Sequence, residues 1–262
     1  MKYDIVFIGS GNVATNLALA LHEKEHNIKQ IYSRTEIAAK TLACQVNASF
    51  TNNLNDIITD ADIYLFSVKD SVLNDLLAQL PPLQGMYLHT AGSIPMDIFQ
   101  PFTTNYGVFY PLQTFSKNHP VDFSSIPLCI EAANEKQFQR IANLASCISG
   151  RIFQVNSEKR KQLHVAAVFV CNFANRMYDI GSEILLENDL PFDMLLPLID
   201  ETAKKVHDLS PFEAQTGPAV RFDKNVMENH EQLILDAELR TIYQSISNNI
   251  HKRHTKESQT DD

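Results

Sequence analysis

Positive charge is the first thing this sequence is short of. Against 31 aspartates and glutamates stand 22 lysines and arginines, a formal net charge of −9. That balance excludes broad electrostatic attraction to nucleic acid. Cysteine is scarce too. Cys44, Cys129, Cys147 and Cys171 lie far apart without the spacing of metal ligands, so no metal site is expected. Their apolar surroundings read as those of reduced core thiols. No run is apolar over the length a bilayer requires, which excludes a membrane span. The first residues are apolar only briefly and contain Asp4, unlike a signal peptide. Internal repeats are absent. What is present is 44% hydrophobic residues over 262 positions, enough for one large or two modest domains with a substantial core. A protein of the reducing cytoplasm is the expectation.

Short β-rich runs stand at 4–9 (DIVFIG), 62–68 (DIYLFSV), 86–89 (MYLH), 106–110 (YGVFY), 127–131 (PLCIE) and 151–155 (RIFQV). Helical patterns lie between many of them, at 13–22, 37–44, 71–80 and 135–148. Alternation of this kind implies right-handed crossovers and a doubly wound sheet. After about residue 157 the strand pattern stops. Residues 159–187 read as one long, mostly apolar helix, 192–209 and 231–250 as two more, and 210–223 as a Pro/Gly-containing connector. The expected architecture is α/β: a Rossmann domain over 1–156, an all-α domain over 157–250, and a polar tail, 251–262, that frays.

Gly9-Ser10-Gly11-Asn12-Val13-Ala14 follows the first run and opens a helix, with the spacing of a dinucleotide-binding turn. Gly9 permits the tight turn, and Gly11 removes a side chain that would block a pyrophosphate. The N–H groups of the next helix then face the phosphates. The second strand, 29–32, ends at Ser33-Arg34-Thr35, where an acidic residue would bind the ribose of NAD. Arg34 instead offers a planar cationic fork for the extra phosphate of NADP, with Ser33 and Thr35 as hydroxyl partners. NADP is favoured over NAD. Glu36, one residue late, is the residue that would reverse this. Further loops follow strand ends, where ligands of open α/β sheets bind. Ser67, Val68 and Lys69 flank the cofactor, then His89 and Thr90, then Ser93 and Gln113 on the substrate side. His89 serves either as a proton relay or as packing at a strand end.

With GSGNVA, YSRT, SVKD and YPLQ in order, the N-terminal half resembles the dinucleotide-binding domain of pyrroline-5-carboxylate reductase. Related are the 6-phosphogluconate and 3-hydroxyacid dehydrogenases and the coenzyme F420-dependent NADP oxidoreductases. The second half resembles a domain of unknown function that follows this domain in many bacterial proteins. It does so through His164-Val165-Ala166-Ala167-Val168-Phe169 with Asn172, and Thr216-Gly217-Pro218 with Arg221 and Asp223. The resemblance runs to about residue 250 and implies fold and cofactor class. It does not imply a substrate. The reductases typically carry Met-Pro-Asn where this chain has Tyr-Pro-Leu-Gln. The dehydrogenases place a lysine and an asparagine on the long helix. Lys161 is similar to that lysine, but Val165 takes the asparagine's place.

At 100° per residue, Lys161, His164, Val168, Asn172, Asn175 and Asp179 share one face of the long helix, whose other faces are apolar. Such polar groups need partners: either a substrate beside the cofactor, or a structural network or dimer contact. In the first case His164 or Lys161 protonates the heteroatom of a reduced C=O or C=N bond, and Asn172 orients the substrate. Thr216 and Arg221 supply an anion contact. The expectation is an NADP-dependent oxidoreductase acting on a small carbonyl or imine metabolite. The rival is a non-catalytic NADP-binding regulatory protein. The apolar content of 165–186 and 192–199 exceeds what a small helical domain buries alone, so a homodimer through the helical half is expected.

Overall fold

The computed structural model of the chain describes residues 2–119 and 121–258. Eight strands form one sheet: β1 (Asp4–Ile8), β2 (Asn27–Tyr32), β3 (Ser49–Thr51), β4 (Ile63–Phe66), β5 (Met86–His89), β6 (Tyr106–Pro111), β7 (Leu128–Ala132) and β8 (Ile152–Gln154). Their order is β3-β2-β1-β4-β5-β6-β7-β8. Every pairing is parallel except β6 with β7, which is antiparallel. Helices α1 (Asn12–Glu23), α2 (Glu36–Gln45), α3 (Asp70–Leu77) and α4 (Glu135–Ile148) make the crossovers. The three-residue β3 lacks an apolar run of its own and escapes the sequence pattern.

Strand β1 shows why its residues are apolar throughout. Ile5 and Phe7 join the core under α1, α2 and α4, while Val6 and Ile8 join the opposite core with Tyr64, Phe66 and Leu73. Side chains alternate across a sheet covered on both faces, so every position must be hydrophobic.

After β8, Asn156 caps α5 (Ser157–Ala167), its side chain accepting the Lys159 N–H at 2.9 Å. The next six residues, Val168–Phe173, form a π-helix, followed by α6 (Ala174–Glu187). The first turn of α5 is tied down by charge. Arg160 is completely buried, with Nη1 2.6 Å from Glu131 Oε2, and it also donates to the Ile94 carbonyl. Glu131, on β7, accepts from both N–H and O–H of Ser157. Removing one partner of such a buried pair strands the other charge, at about 3–5 kcal/mol.

The chain divides into two compact units between Met177 and Tyr178, inside the helical run rather than at its start. The second unit contains α7 (Leu196–Asp208), α8 (Pro218–Arg221), α9 (Lys224–Leu233) and α10 (Ala237–Ser258). Phe222 stacks on His251 at 3.9 Å and Phe212 on His254 at 4.2 Å, joining the former connector to α10. The helix expected over 231–250 is broken. Residues 234–236 leave the helix, and Asp236 caps a new one by accepting the Leu239 N–H at 2.9 Å. Residues 251–258 of the expected polar tail continue α10, and 259–262 lie outside the described residues. Of the cysteines, Cys129 alone is buried, whereas Cys44 and Cys147 are exposed, so they are not core thiols. Phe169, Val170 and Phe173, expected to be buried, are also exposed within the chain. Among the described residues no helix is long and apolar enough to cross a membrane.

Candidate functional site

The sheet order reverses between β1 and β4, and the chain leaves β1 there through the glycine turn. Gly9 has φ +124°, and a Cβ on it would collide with the Ser67 carbonyl oxygen, so only glycine fits. Its N–H donates to the Tyr32 carbonyl at 2.8 Å, which fixes the turn against β2. Around Gly11 the reverse holds. A Cβ there would meet nothing within 4 Å, so the backbone faces open space at the start of α1. No side chain caps α1 and no acidic residue stands in its first turn. The positive end of the helix is left for an anion.

On one side of this turn lies a cavity of about 440 Å³. Gly9, Ser10, Gly11, Ser33, Arg34, Ser67, Val68 and Lys69 line it, all anticipated from the sequence. Leu54, Val72 and Leu76 add an apolar wall that the sequence reading missed. Its only sequence signal is the apolar stripe of α3. Arg34 and Lys69 bring two cations to the lining against the single carboxylate of Asp75, and the walls suit a planar base. Thr35 and Glu36, where α2 starts, are absent from the lining. So is Thr90, although its hydroxyl lies 3.0 Å from that of Ser67, which does line it.

His89 is corrected more firmly. It is fully buried, packed on Phe99 with ring centroids 5.5 Å apart, and its Nδ1 accepts the Ala91 N–H at 3.2 Å. Burial, aided by the nearby Arg160 charge, pushes its pKa down to about 3. The ring is a neutral part of the core and lines neither cavity. Of the two readings left open, packing at a strand end is the one that holds.

A second cavity of about 540 Å³ opens on the other side of the turn. Asn12 and Val13 form one wall, Tyr110 to Phe115 another, and α5 with the π-helix the third. His164, Asn172 and Gln113 all line it, as expected of a substrate site. Lys161 does not, since its ammonium lies 2.9 Å from Glu158 on the same helix. Ser93 does not either, and its hydroxyl donates to the Asp70 carboxylate. Thr216 and Arg221 belong to the second unit, both exposed. Among the described residues no lysine or arginine lines this cavity.

The cavity-lining residues Leu163, His164, Ala167 and Cys171 keep ordinary helical spacing, so the face that meets the cavity is turned from the predicted stripe: Val168 is off it, while Asn172 still reaches. One contact in this cavity was not legible at all: the Tyr110 hydroxyl lies 3.0 Å from His164 Nδ1. Burial pushes the Tyr110 phenol up to about 12, so it keeps its proton.

The two cavities flanking a glycine turn at a switch point fit the halves of a dinucleotide. Two family models match the chain: "NADP oxidoreductase coenzyme F420-dependent" over residues 4–88, and "Domain of unknown function (DUF2520)" over 126–250. A proposed NADP oxidoreductase of Bacteroides fragilis is 46% identical, with 96% of this chain and 98% of that one covered and a TM-score of 0.91. A 1-pyrroline-5-carboxylate reductase of Streptococcus pyogenes shares the fold at 14% identity, over 96% and 99% of the chains, with a TM-score of 0.63. An imine reductase of Myxococcus stipitatus, in complex with NADP+, does so at 13%, over 98% and 94%, with a TM-score of 0.67. At such identities these two likenesses concern fold alone. No curated protein matches the sequence.

Proposed function

The chain belongs to this family of NADP oxidoreductases, in which the nucleotide-binding domain precedes DUF2520, and from that premise we propose that it reduces a small carbonyl or imine metabolite. The observation that carries the reading is the second cavity, where His164, Gln113 and Asn172 come together in a largely apolar lining. A protein that only senses NADP would have no need of an imidazole and two side-chain amides converging in the cavity left to the nicotinamide half.

Within this reading the 2′-phosphate of NADP meets Arg34 with Ser33, and the pyrophosphate meets Gly11 and the start of α1. The bound cofactor supplies hydride to the carbon of the C=O or C=N bond. His164 is the hydrogen-bond donor to the heteroatom as charge gathers there, and the proton that completes the alcohol or amine comes from solvent. Asn172 and Gln113 orient the substrate. Leu112, Phe115 and Leu163 hold its apolar part, and the lack of a lining cation favours an uncharged molecule.

The second copy needed to cover the helical half completes the proposal, since Leu186, Met194 and Leu198 stand exposed there. We place the homodimer in the cytoplasm, a location that suits the free and exposed thiols of Cys44 and Cys147. The test is NADPH oxidation by the wild-type protein with 2-methyl-1-pyrroline and with cyclohexanone. Turnover with either, faster than with NADH, is expected. Tight NADPH binding without turnover on any uncharged imine or ketone would assign the protein to the regulatory class.

A further inference from the structure

We propose that Tyr110 is a positioning residue for His164: its phenol donates to Nδ1 and, with Gly92 as the floor under the ring, holds the imidazole with Nε2–H turned toward the cavity. The inference deepens the reductase reading and rests on it for the substrate's presence, though the Tyr110–His164 pair can be tested without any substrate.

Three observations converge. The hydroxyl-to-Nδ1 distance is 3.0 Å, and among the described residues this is the one hydrogen bond the Tyr110 hydroxyl makes. Tyr110 is buried at the end of β6, where an unused O–H donor would cost about 1–3 kcal/mol. The phenol therefore has reason to donate. A ring nitrogen that accepts carries no proton, so the neutral imidazole has its proton on Nε2.

Gly92 supplies the second constraint. A Cβ on it would lie 2.5 Å from both Cγ and Nδ1 of His164, so the ring rests directly on the glycine backbone. The Cγ–Nδ1 edge is thus occupied by Gly92 and Tyr110 together. Nε2, at the far side of the ring, is the nitrogen left to face the cavity that His164 lines. The third constraint comes from below. Arg160, one turn earlier on α5, is locked to Glu131 and to the Ile94 carbonyl, so the helix cannot rotate to carry the ring away. High burial keeps the phenol protonated, which makes it a constant donor rather than a second acid. Ring and tautomer are set before a substrate arrives, as a donor needs to be to act on developing charge without reorganising.

The test is Tyr110→Phe, which keeps the ring and removes the hydroxyl. Nitrogen-15 NMR of the histidine rings, with the His164 signals identified by their loss in His164→Gln, reports the tautomer directly. In the wild type at a pH where the ring is neutral, Nδ1 is expected to give the unprotonated shift and Nε2 the protonated one. In Tyr110→Phe the two should mix. With 2-methyl-1-pyrroline, kcat should fall about tenfold or more while NADPH affinity stays unchanged. Gly92→Ala, which pushes the ring off its floor, should lower kcat in the same way with Tyr110 intact. An Nδ1–H tautomer in the wild type overturns the proposal. So does Tyr110→Phe with an unchanged tautomer, whatever its kcat, because Tyr110 would then not act through His164. If the wild type turns over no imine while the tautomer shift appears, the reductase reading fails and the Tyr110–His164 pair stands.

Discussion

The two units of this chain treat apolar side chains in opposite ways. In the first, Ile5, Phe7, Leu17 and Phe109 are all at 0% exposure, and the sheet is covered on both faces by its own helices. In the second, among the described residues, Ala219 and Met227 are the only buried hydrophobics, while Leu186, Leu233 and Leu235 stand 78–85% exposed. The sheet of the first unit has a finished core, whereas the second unit and the end of the first, where Phe169 and Val170 stand exposed, do not. Burial of a large aliphatic side chain is worth about 1.5–3 kcal/mol, so leaving many in water is tolerable only if another surface covers them. On the proposed function, nucleotide binding falls to the sheet of the first unit and association to the exposed apolar faces beyond it.

That division can be broken in order of expected effect. The largest should follow from Met194→Glu together with Leu198→Glu, two charges on the exposed apolar face of the second unit. Light scattering should show a dimer for the native chain and a monomer for the variant, with association weakened about a hundredfold or more. A native chain that is monomeric at micromolar concentration would remove the comparison's second half. Next is Gly11→Asp, whose carboxylate would occupy the open space where the pyrophosphate belongs. NADPH affinity in calorimetry should drop about a hundredfold or more, with the dimer and helical content untouched. Unaltered affinity in the folded variant would move the cofactor elsewhere. The smallest is Arg34→Ala, which should weaken NADPH about ten- to a hundredfold and NADH little, with the wild-type preference shrinking in high salt. Equal losses would assign Arg34 to the adenine face.

How much of this was legible in the sequence follows from how far apart the partners stand. Gly9, Gly11 and Arg34 lie within a single βα unit and its next strand, so spacing alone placed them around one cavity. The fold was readable for a similar reason, because strands buried on both faces are apolar at every position. Contacts between distant segments left no local mark. Tyr110 and His164 are 54 residues apart, and Glu131 and Arg160 are 29. Leu54 and Leu76 carry no local mark of a binding wall, and the fold brings them into one cavity with Arg34. The stripe on the long helix misled because the face that lines the cavity, through Leu163, Ala167, Val170 and Cys171, is largely apolar and turned from the polar one. Lys161 was misplaced for a plainer reason: Glu158, three residues earlier, captures its charge.

The central claim is that the cavity on the far side of the glycine turn is where reduction occurs, with His164 as donor. His164→Gln keeps the side chain polar while removing the imidazole, so its steady-state rate of NADPH oxidation with 2-methyl-1-pyrroline measures that claim most directly. The account predicts a kcat about a hundredfold or more below wild type, with NADPH affinity unchanged. A variant that turns over as fast as the wild type would contradict it.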